Sequence, residues 1–338
     1  MTVRLAINGF GRIGRNLVRA LIDRQNAADL EGLEVVAVND LGDLETMAHL
    51  LRYDTVHGSP SWTIDTNDSG LELDGRKVQV FGERNPGDLP WDELGIDVVI
   101  ESTGAFTTRE GAAEHVEAGA RRVIISAPSG NADATFVIGV NDERFDPVTD
   151  TVISNASCTT NCLAPMVKVL DDAFGVESGM ITTVHAYTGD QSLVDGPHRD
   201  LRRARAAAAN VVPTSTGAAR AIGLVMPHLA GKLDGLAMRV PIPNGSVTDF
   251  VAQVGREVDV DAVNEAFRVA ARSGPLAGVL EYSDAPLVSS DIVGSPASCI
   301  YDSGLAMAMG RTVKVAGWYD NEWGYSNRLL DLVARVTQ

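Results

Sequence analysis

The strongest constraint on the fold lies at the start of the chain. Val3-Arg4-Leu5-Ala6-Ile7 is an apolar run of the kind that forms a buried strand. Asn8-Gly9-Phe10-Gly11-Arg12-Ile13-Gly14-Arg15 follows it and leads into the helical spacing of Leu17, Val18 and Leu21. This is G-x-G-x-x-G between a strand and a helix. Gly9 permits the tight turn, Gly11 lets the backbone approach a pyrophosphate, and Gly14 lets helix and sheet pack closely. The helix N-terminus supplies backbone N–H groups for the anion. A second strand, Glu34-Val35-Val36-Ala37-Val38-Asn39-Asp40, ends in an acid, which makes the motif specific. Asp40 stands somewhat beyond the usual spacing, and the polar insert from Ala27 to Gly32 accounts for the difference. At that position an acid binds the adenosine ribose hydroxyls and repels a 2′-phosphate, favouring NAD over NADP. The competing role for Asp40 is the N-cap of the next helix.

Further βα units extend the pattern. A helix is expected near Leu44 to Arg52 and another from Thr108 to Ala118. Strands are expected at Asp97 to Glu101 and Arg122 to Ser126. Thr63 to Phe81 alternates in polarity and holds turn signals at Asn67 to Gly70 and Asp74-Gly75, so it reads as antiparallel hairpins inserted into a parallel unit. Alternation up to about residue 154 predicts an α/β, doubly wound parallel dinucleotide-binding sheet. The carboxyl ends of its strands carry Gly9, Asp40, Ser102 and Ser126, on the edge where ligands bind.

Beyond that point the pattern changes. Strands at Leu236 to Pro241 and Val247 to Val254, a helix at Asp261 to Arg272, and a hairpin turning at Gly310-Arg311 indicate an α+β second domain with a mainly antiparallel sheet. Asp320 to Val336 reads as a closing helix with an apolar stripe at Leu329, Leu330, Val333 and Val336. The polar stretch Tyr187 to Pro213 is long for a connection, and such loops are usually functional.

A chain of 338 residues suggests two domains. No apolar run approaches the ~20 residues of a membrane span, and the N-terminus enters a strand with no signal-like segment. Three cysteines cannot build a disulfide framework, which points to a reduced, cytoplasmic setting. A net charge of −17 works against nucleic-acid binding as a main function and against anionic membranes.

The chemistry centres on Ser157-Cys158-Thr159-Thr160-Asn161-Cys162. The run follows the strand Thr151 to Ser154 and opens a helix reaching Phe174. Cys158 then sits at the positive end of the helix dipole, which lowers a thiol pKa and favours thiolate. Surrounding hydroxyls suit an anion. The alternative is a buried structural cysteine. Pro165 removes one helical hydrogen bond and crowds the Asn161 carbonyl, so a kink or an irregular first turn is expected. A base for Cys158 is available at His185, which ends the apolar run Met180 to Val184. Cys162, Cys299 and His198 read as structural or surface residues, and no metal site is expected.

These motifs, with His185-Ala186-Tyr187-Thr188, Asp200 to Arg205, Thr214 to Ala219 and Trp318 to Glu322, stand in one order over essentially the whole chain. In that order the chain resembles the phosphorylating glyceraldehyde-3-phosphate dehydrogenases. The resemblance implies a glycolytic, NAD-dependent oxidoreductase acting on glyceraldehyde 3-phosphate and inorganic phosphate. Cys158 would form a thiohemiacetal and then a thioester, with His185 as base. It implies that Thr188 and Arg239 hold the substrate phosphate. Ser157, Thr159, Thr216 and Gly217 would hold the attacking phosphate, with Arg203 as a further contributor. Asn321 and Tyr325 would attend the nicotinamide, Arg12 and Ile13 the pyrophosphate, and Arg84 and Ser126 the remaining cofactor site. The expected division is an NAD-binding domain of residues 1–157 and 321–338 and a catalytic domain of residues 158–320, in a homotetramer. Gly196 stands before Pro197 where NAD-type relatives usually carry a bulky residue. Pro197 and Asp40 keep the NAD-type features, but the lost bulk leaves an NADP-accepting variant open. The sequence leaves a gluconeogenic variant open as well, and likewise an erythrose-4-phosphate dehydrogenase.

Overall fold

Strands too apolar to face water on either side must be covered on both faces, and the first unit is built that way. In the computed structural model, which describes residues 2–338, the chain divides into two units: residues 2–136, 142–156 and 326–338, and residues 137–141 and 157–325. The divisions at 156/157 and 325/326 differ slightly from those expected. The short segment 137–141 joins the second unit.

The first unit opens with β1 (Val3–Asn8), α1 (Arg12–Asn26), β2 (Leu33–Asn39) and α2 (Leu44–Arg52). The hairpin strands β3 (Ile64–Asn67), β4 (Gly70–Leu73) and β5 (Arg76–Phe81) come next. They are followed by β6 (Val98–Glu101), α3 (Arg109–Glu117), β7 (Arg122–Ile125), β8 (Ala134–Thr135) and β9 (Val152–Ser154). Among the described residues they form one sheet in the order β3-β4-β5-β2-β1-β6-β7-β9-β8. From β5 to β8 the pairing is parallel, while β3, β4 and β5 pair antiparallel. The hairpin insert is therefore joined to the parallel sheet through β5.

Leu5, Ile7, Val99 and Ile100 are wholly buried, each contributing roughly 1.5–3 kcal/mol of transfer free energy. Below the sheet edge lies a buried polar group. Trp91 Nε1 donates to His115 Nδ1 at 2.9 Å, so the proton of the neutral ring is on Nε2, 3.1 Å from Glu101 Oε2. Asn8 Nδ2 donates to that same oxygen at 2.6 Å, and the Thr103 N–H donates to Oε1 at 2.8 Å. A carboxylate with such partners can stay buried, and here it ties the turn after β1 to the turn after β6.

The second unit starts with α4 (Cys158–Phe174) and β10 (Val176–Ala186). After the long loop come β11 (Val212–Ser215), α5 (Ala218–Val225), β12 (Leu233–Val240), β13 (Ser246–Val254) and α6 (Val260–Arg272). The unit then adds β14 (Leu280–Ser283), β15 (Cys299–Asp302), β16 (Met307–Met309) and β17 (Thr312–Tyr319). The chain closes with α7 (Trp323–Thr337). The sheet runs β11-β12-β10-β13-β17-β15-β14, with β16 paired to β17. Its pairing is mainly antiparallel, with β10 to β12 and β14 to β15 parallel. On β13, residues alternate between buried Thr248, Phe250 and Ala252 and a more exposed opposite set, the period-two signature of a sheet covered on one face.

The helix α4 continues through Pro165, and the irregular first turn that the proline suggested is absent. Its first turn is regular: Ser157 Oγ accepts the Thr160 N–H at 3.1 Å, and the Asn161 N–H donates to the Ser157 carbonyl at 2.9 Å.

Candidate active site and cofactor cavity

In the first unit, a cavity of about 430 Å³ opens at the carboxyl ends of β1, β2 and β6. Gly9, Gly11, Asp40, Arg84, Ser102 and Thr103 are among the residues that line it. Each motif glycine has a separate steric reason. Gly9 has φ +94°, and a Cβ there would meet the Thr103 nitrogen at 2.6 Å. A Cβ on Gly14 would meet the Gly9 carbonyl oxygen at 2.3 Å, whereas Gly11 faces open space. No side chain caps α1 at Gly11, so its N-terminal turn presents backbone donors with room in front of them.

Asp40 Oδ2 accepts the Phe10 N–H at 2.7 Å and Oδ1 the Gly42 N–H at 2.9 Å. These bonds aim the carboxylate beside the glycine turn. The competing helix-cap role belongs to Asp43, whose side chain accepts the Thr46 N–H. The donor turn, the open ground before Gly11 and the fixed carboxylate fit a pyrophosphate and an adenosine ribose. The Arg12 guanidinium pairs with Asp54, and with that pair and the Val56 and His57 N–H groups Asp54 is held, despite burial, at a pKa of about 2. Ile13 is half-buried in the first turn of α1, and Ser126, also half-buried, follows β7.

The second unit holds the candidate nucleophile. Cys158 is the first residue of α4, half-buried, and its sulfur lies 3.4 Å from His185 Nε2. His185 is on β10 and is in register with Arg239 on the parallel strand β12. The ladder thus sets the guanidinium beside the imidazole: Arg239 Nη1 is 2.7 Å from His185 Nδ1 and 3.1 Å from the Ala186 carbonyl oxygen. That carbonyl is itself 2.7 Å from Nδ1.

The ring therefore has a partner for each of two tautomers. With the proton on Nδ1, donated to Ala186 O, the Nε2 lone pair faces the thiol and can act as a base. With Arg239 donating to Nδ1, Nε2–H faces the sulfur and can donate to a thiolate or an oxyanion. Burial, and then the Arg239 charge, pushes His185 down to about 3, so the imidazole is neutral at neutral pH.

The expected lowering of the Cys158 pKa is not what the environment produces. Burial pushes the thiol up and outweighs the Arg239 charge and the Thr159 N–H and hydroxyl, which pull it down. Desolvation penalises the thiolate more than these neighbours stabilise it.

Arg239, Asp190 and Arg203 all act on the charge of His185, and further polar groups belong to the same unit. The Arg239 Nε and Gln191 Nε2 atoms are buried with no hydrogen-bond partner among the described residues. Thr188 Oγ1 donates to Asp190, and the Arg203 guanidinium pairs with the same carboxylate. Burial pushes Asp190 up, but Thr188, Arg203 and Arg239 hold it below the usual carboxylate range. Arg203 is further engaged, with Nε donating to Thr214 Oγ1 at 2.9 Å and Nη2 to the Ser215 carbonyl at 3.2 Å. Ser157 caps α4, and the Thr159 hydroxyl is 2.9 Å from Tyr319 Oη. Thr216 Oγ1 accepts the Ala218 N–H at 3.2 Å, and Gly217, the N-cap residue of α5, brings no side-chain cap. Asn321 and Tyr325 belong to this unit, and Asn321 Oδ1 accepts from Ser246 Oγ at 2.8 Å.

Three residues here had no assignment from sequence. Tyr319 Oη bridges the Thr159 and Thr183 hydroxyls, and its ring meets His185 edge-on at 5.9 Å. Asp190 and Gln191 follow Thr188 closely. The signal available was the density of acid and amide groups just after the His185 run.

Residues 157–321 match the family model described as glyceraldehyde 3-phosphate dehydrogenase, C-terminal domain. Residues 3–109 match the one described as its NAD binding domain. The chain is 57% identical over 337 residues to a glyceraldehyde-3-phosphate dehydrogenase of Streptomyces coelicolor, with 99% of each chain covered. It is 58% identical over 336 residues to glyceraldehyde-3-phosphate dehydrogenase 2 of Streptomyces arenae, again with 99% of each covered. It is 57% identical over 338 residues to the enzyme of that name from Mycobacterium avium, also with 99% of each covered.

Proposed function

This chain belongs to the glyceraldehyde-3-phosphate dehydrogenase family, and we propose on that premise that it oxidises glyceraldehyde 3-phosphate with NAD and inorganic phosphate to 1,3-bisphosphoglycerate. The observation that carries the reading is the contact of 3.4 Å between Cys158 Sγ and His185 Nε2. Neutral His185 takes the thiol proton as Cys158 adds to the aldehyde carbonyl, and a thiohemiacetal forms. The ring then donates Nε2–H to the developing oxyanion. NAD, when bound, would supply the hydride acceptor for oxidation to the thioester, and the Nε2 lone pair of His185 takes back the hydroxyl proton as the carbonyl re-forms. Inorganic phosphate attacks that thioester, and Cys158 leaves.

We assign the substrate phosphate to Thr188 and Arg239, supported by the unpartnered Arg239 and Gln191 donors. The attacking phosphate is assigned to Ser157, Thr159, Thr216 and Gly217. Arg203, already neutralised by Asp190, contributes to electrostatic balance more than to direct contact. Asp40 and the turn from Gly9 to Gly14, with Arg12, Ile13, Arg84 and Ser126, are assigned to the dinucleotide. Asn321 and Tyr325 are assigned to its nicotinamide end.

Self-association into a homotetramer is part of the reading. On one face of the second sheet Met180 pairs with Val251, Val251 with Lys314 and Lys314 with Met307, and the three apolar residues are exposed by 74%, 37% and 57%. Exposed apolar side chains flanking one paired lysine suit a second copy of the chain, and the mass in solution by light scattering tests it. A cytoplasmic location suits the three free cysteines. No helix among the described residues is long and apolar enough to cross a membrane.

The decisive assay follows reduced-nicotinamide absorbance from glyceraldehyde 3-phosphate, with and without phosphate and with NAD or NADP. Phosphate-dependent signal with NAD is the expected result. Absence of signal, with turnover of erythrose 4-phosphate instead, would overturn it.

A further inference from the structure

All three cysteines of the chain lie along one path that leads inward from the reactive thiol. Cys158 begins α4 and is half-buried; Cys162, one turn along the same helix, and Cys299 on β15 are both fully buried. The Cys162 and Cys299 sulfurs both lie against Gly317, Cys299 the nearer to the place its Cβ would occupy. Gly317 on β17 makes room for them. A Cβ there would lie 2.6 Å from Cys299 Sγ, 2.6 Å from Met166 Sδ and 3.1 Å from Cys162 Sγ. Cys162 Sγ donates to the Gly317 carbonyl oxygen at 3.4 Å. Helix α4 and strands β15 and β17 therefore set two thiols around one glycine, where the Cβ of any other residue would collide with both.

We propose that these cysteines form a thiol relay that returns an oxidised Cys158 to its working state by passing the oxidation to the Cys162–Cys299 pair. The relay rests on the reading of Cys158 as the reactive thiol, and its oxidant is a hydroperoxide. In the first step the Cys158 thiolate attacks a peroxide oxygen. The O–O bond breaks, an alcohol or water leaves, and sulfur is oxidised to the sulfenic acid. In the second, Cys162 sulfur attacks Cys158 sulfur. An S–S bond forms, the S–O bond breaks, and the leaving hydroxide takes up the Cys162 proton as water. In the third, Cys299 sulfur attacks Cys162 sulfur. The Cys162–Cys299 bond forms, Cys158 leaves as thiolate, and the Cys299 proton passes to it or to solvent. The sum is one peroxide reduced and two buried thiols oxidised, with Cys158 restored.

The burial pattern sets the order. Burial, and then the neighbouring Cys299, raises the Cys162 thiol well above its ordinary value. The inner pair is thus protonated and shielded from solvent oxidant, and only Cys158 meets the peroxide directly. Residues one helical turn apart have Cβ atoms about 5–6 Å apart, and a disulfide needs about 4 Å. The second step therefore requires movement in the first turn of α4, where helices open most readily.

The test treats the whole enzyme with one equivalent of hydrogen peroxide. Free thiols are then alkylated and disulfides mapped by mass spectrometry. The expected product has a Cys162–Cys299 disulfide, an alkylated Cys158 and retained activity. Cys299→Ser and Cys299→Ala, which alter no group at the reacting atoms, should match the parent before oxidation. After peroxide they should lose activity until a thiol reductant is added. Recovery of Cys299 as free thiol while Cys158 is oxidised would overturn the relay. So would equal peroxide resistance in parent and variants. If both variants fail to fold, the mapping of the parent enzyme decides alone. A separate arm alkylates the unoxidised enzyme with iodoacetamide: activity surviving modification of Cys158 would remove the site reading itself, which is a different failure from an inert Cys299.

Discussion

Cys158 Sγ and His185 Nε2 lie 3.4 Å apart, although 27 residues separate them in sequence. The contact joins a helix N-terminus to the end of a strand. If it carries the chemistry, Cys158→Ser abolishes turnover while leaving NAD affinity unchanged, because a hydroxyl is a far weaker nucleophile and the dinucleotide cavity is untouched. Steady-state rates and a fluorescence titration with NAD check the two halves. Retention of most activity would remove Cys158 from the mechanism.

The buried imidazole makes stability depend on pH. The unfolded chain protonates His185 near 6.5, and the folded chain only near 3. Between those values the unfolded state binds the extra proton. The neutral ring's contribution is thus complete above pH 6.5 and is lost progressively as pH falls towards 3. Urea unfolding of His185→Gln should show a flatter dependence across that window, with the parent losing a few kcal/mol more than the variant. Parallel curves would mean that the ring titrates normally in the folded protein.

Asp40 is held by the Phe10 and Gly42 N–H groups. Its removal should weaken NAD binding by about tenfold to a hundredfold, the worth of a hydrogen bond to a charged group. NADP should be affected less or improved, since a repulsive charge is lost. Dissociation constants of Asp40→Ala for both dinucleotides measure this, and an unchanged ratio would move ribose recognition elsewhere.

Gly317→Ala should destabilise the second unit by about 1–3 kcal/mol, as overpacking of a filled core does. The new methyl would stand 2.6 Å from both Cys299 Sγ and Met166 Sδ. Chemical denaturation gives the value. A variant as stable as the parent would mean that the sulfurs yield without cost.

Much of the architecture follows from local pattern. The β1–Gly9–α1 turn needs only neighbouring residues, because a positive φ at Gly9 and the contact between Gly14 and the Gly9 carbonyl oxygen are short-range demands that the G-x-G-x-x-G spacing records directly. The same holds for the Ser157 cap and for the hairpin β3 to β5, written in their own turn residues. Period-two alternation likewise announces a sheet with one open face in the second half of the chain.

Other features depend on which strand lies beside which. His185 meets Arg239 because β10 pairs with β12 in parallel register, and no local signal in either segment encodes that register. Cys162 and Cys299 share the space beside Gly317 because α4 packs where β15 and β17 adjoin. The thiol shows the limit most clearly. A helix N-terminus, legible in sequence, favours the thiolate, but the extent of burial is set by residues distant in the chain. Desolvation grows with everything packed around the sulfur, whereas the dipole acts only over the first turn. The sequence by itself therefore determined the helix end and the reactive residue type, and the tertiary structure decided the proton affinity, because burial is a property of the assembled fold.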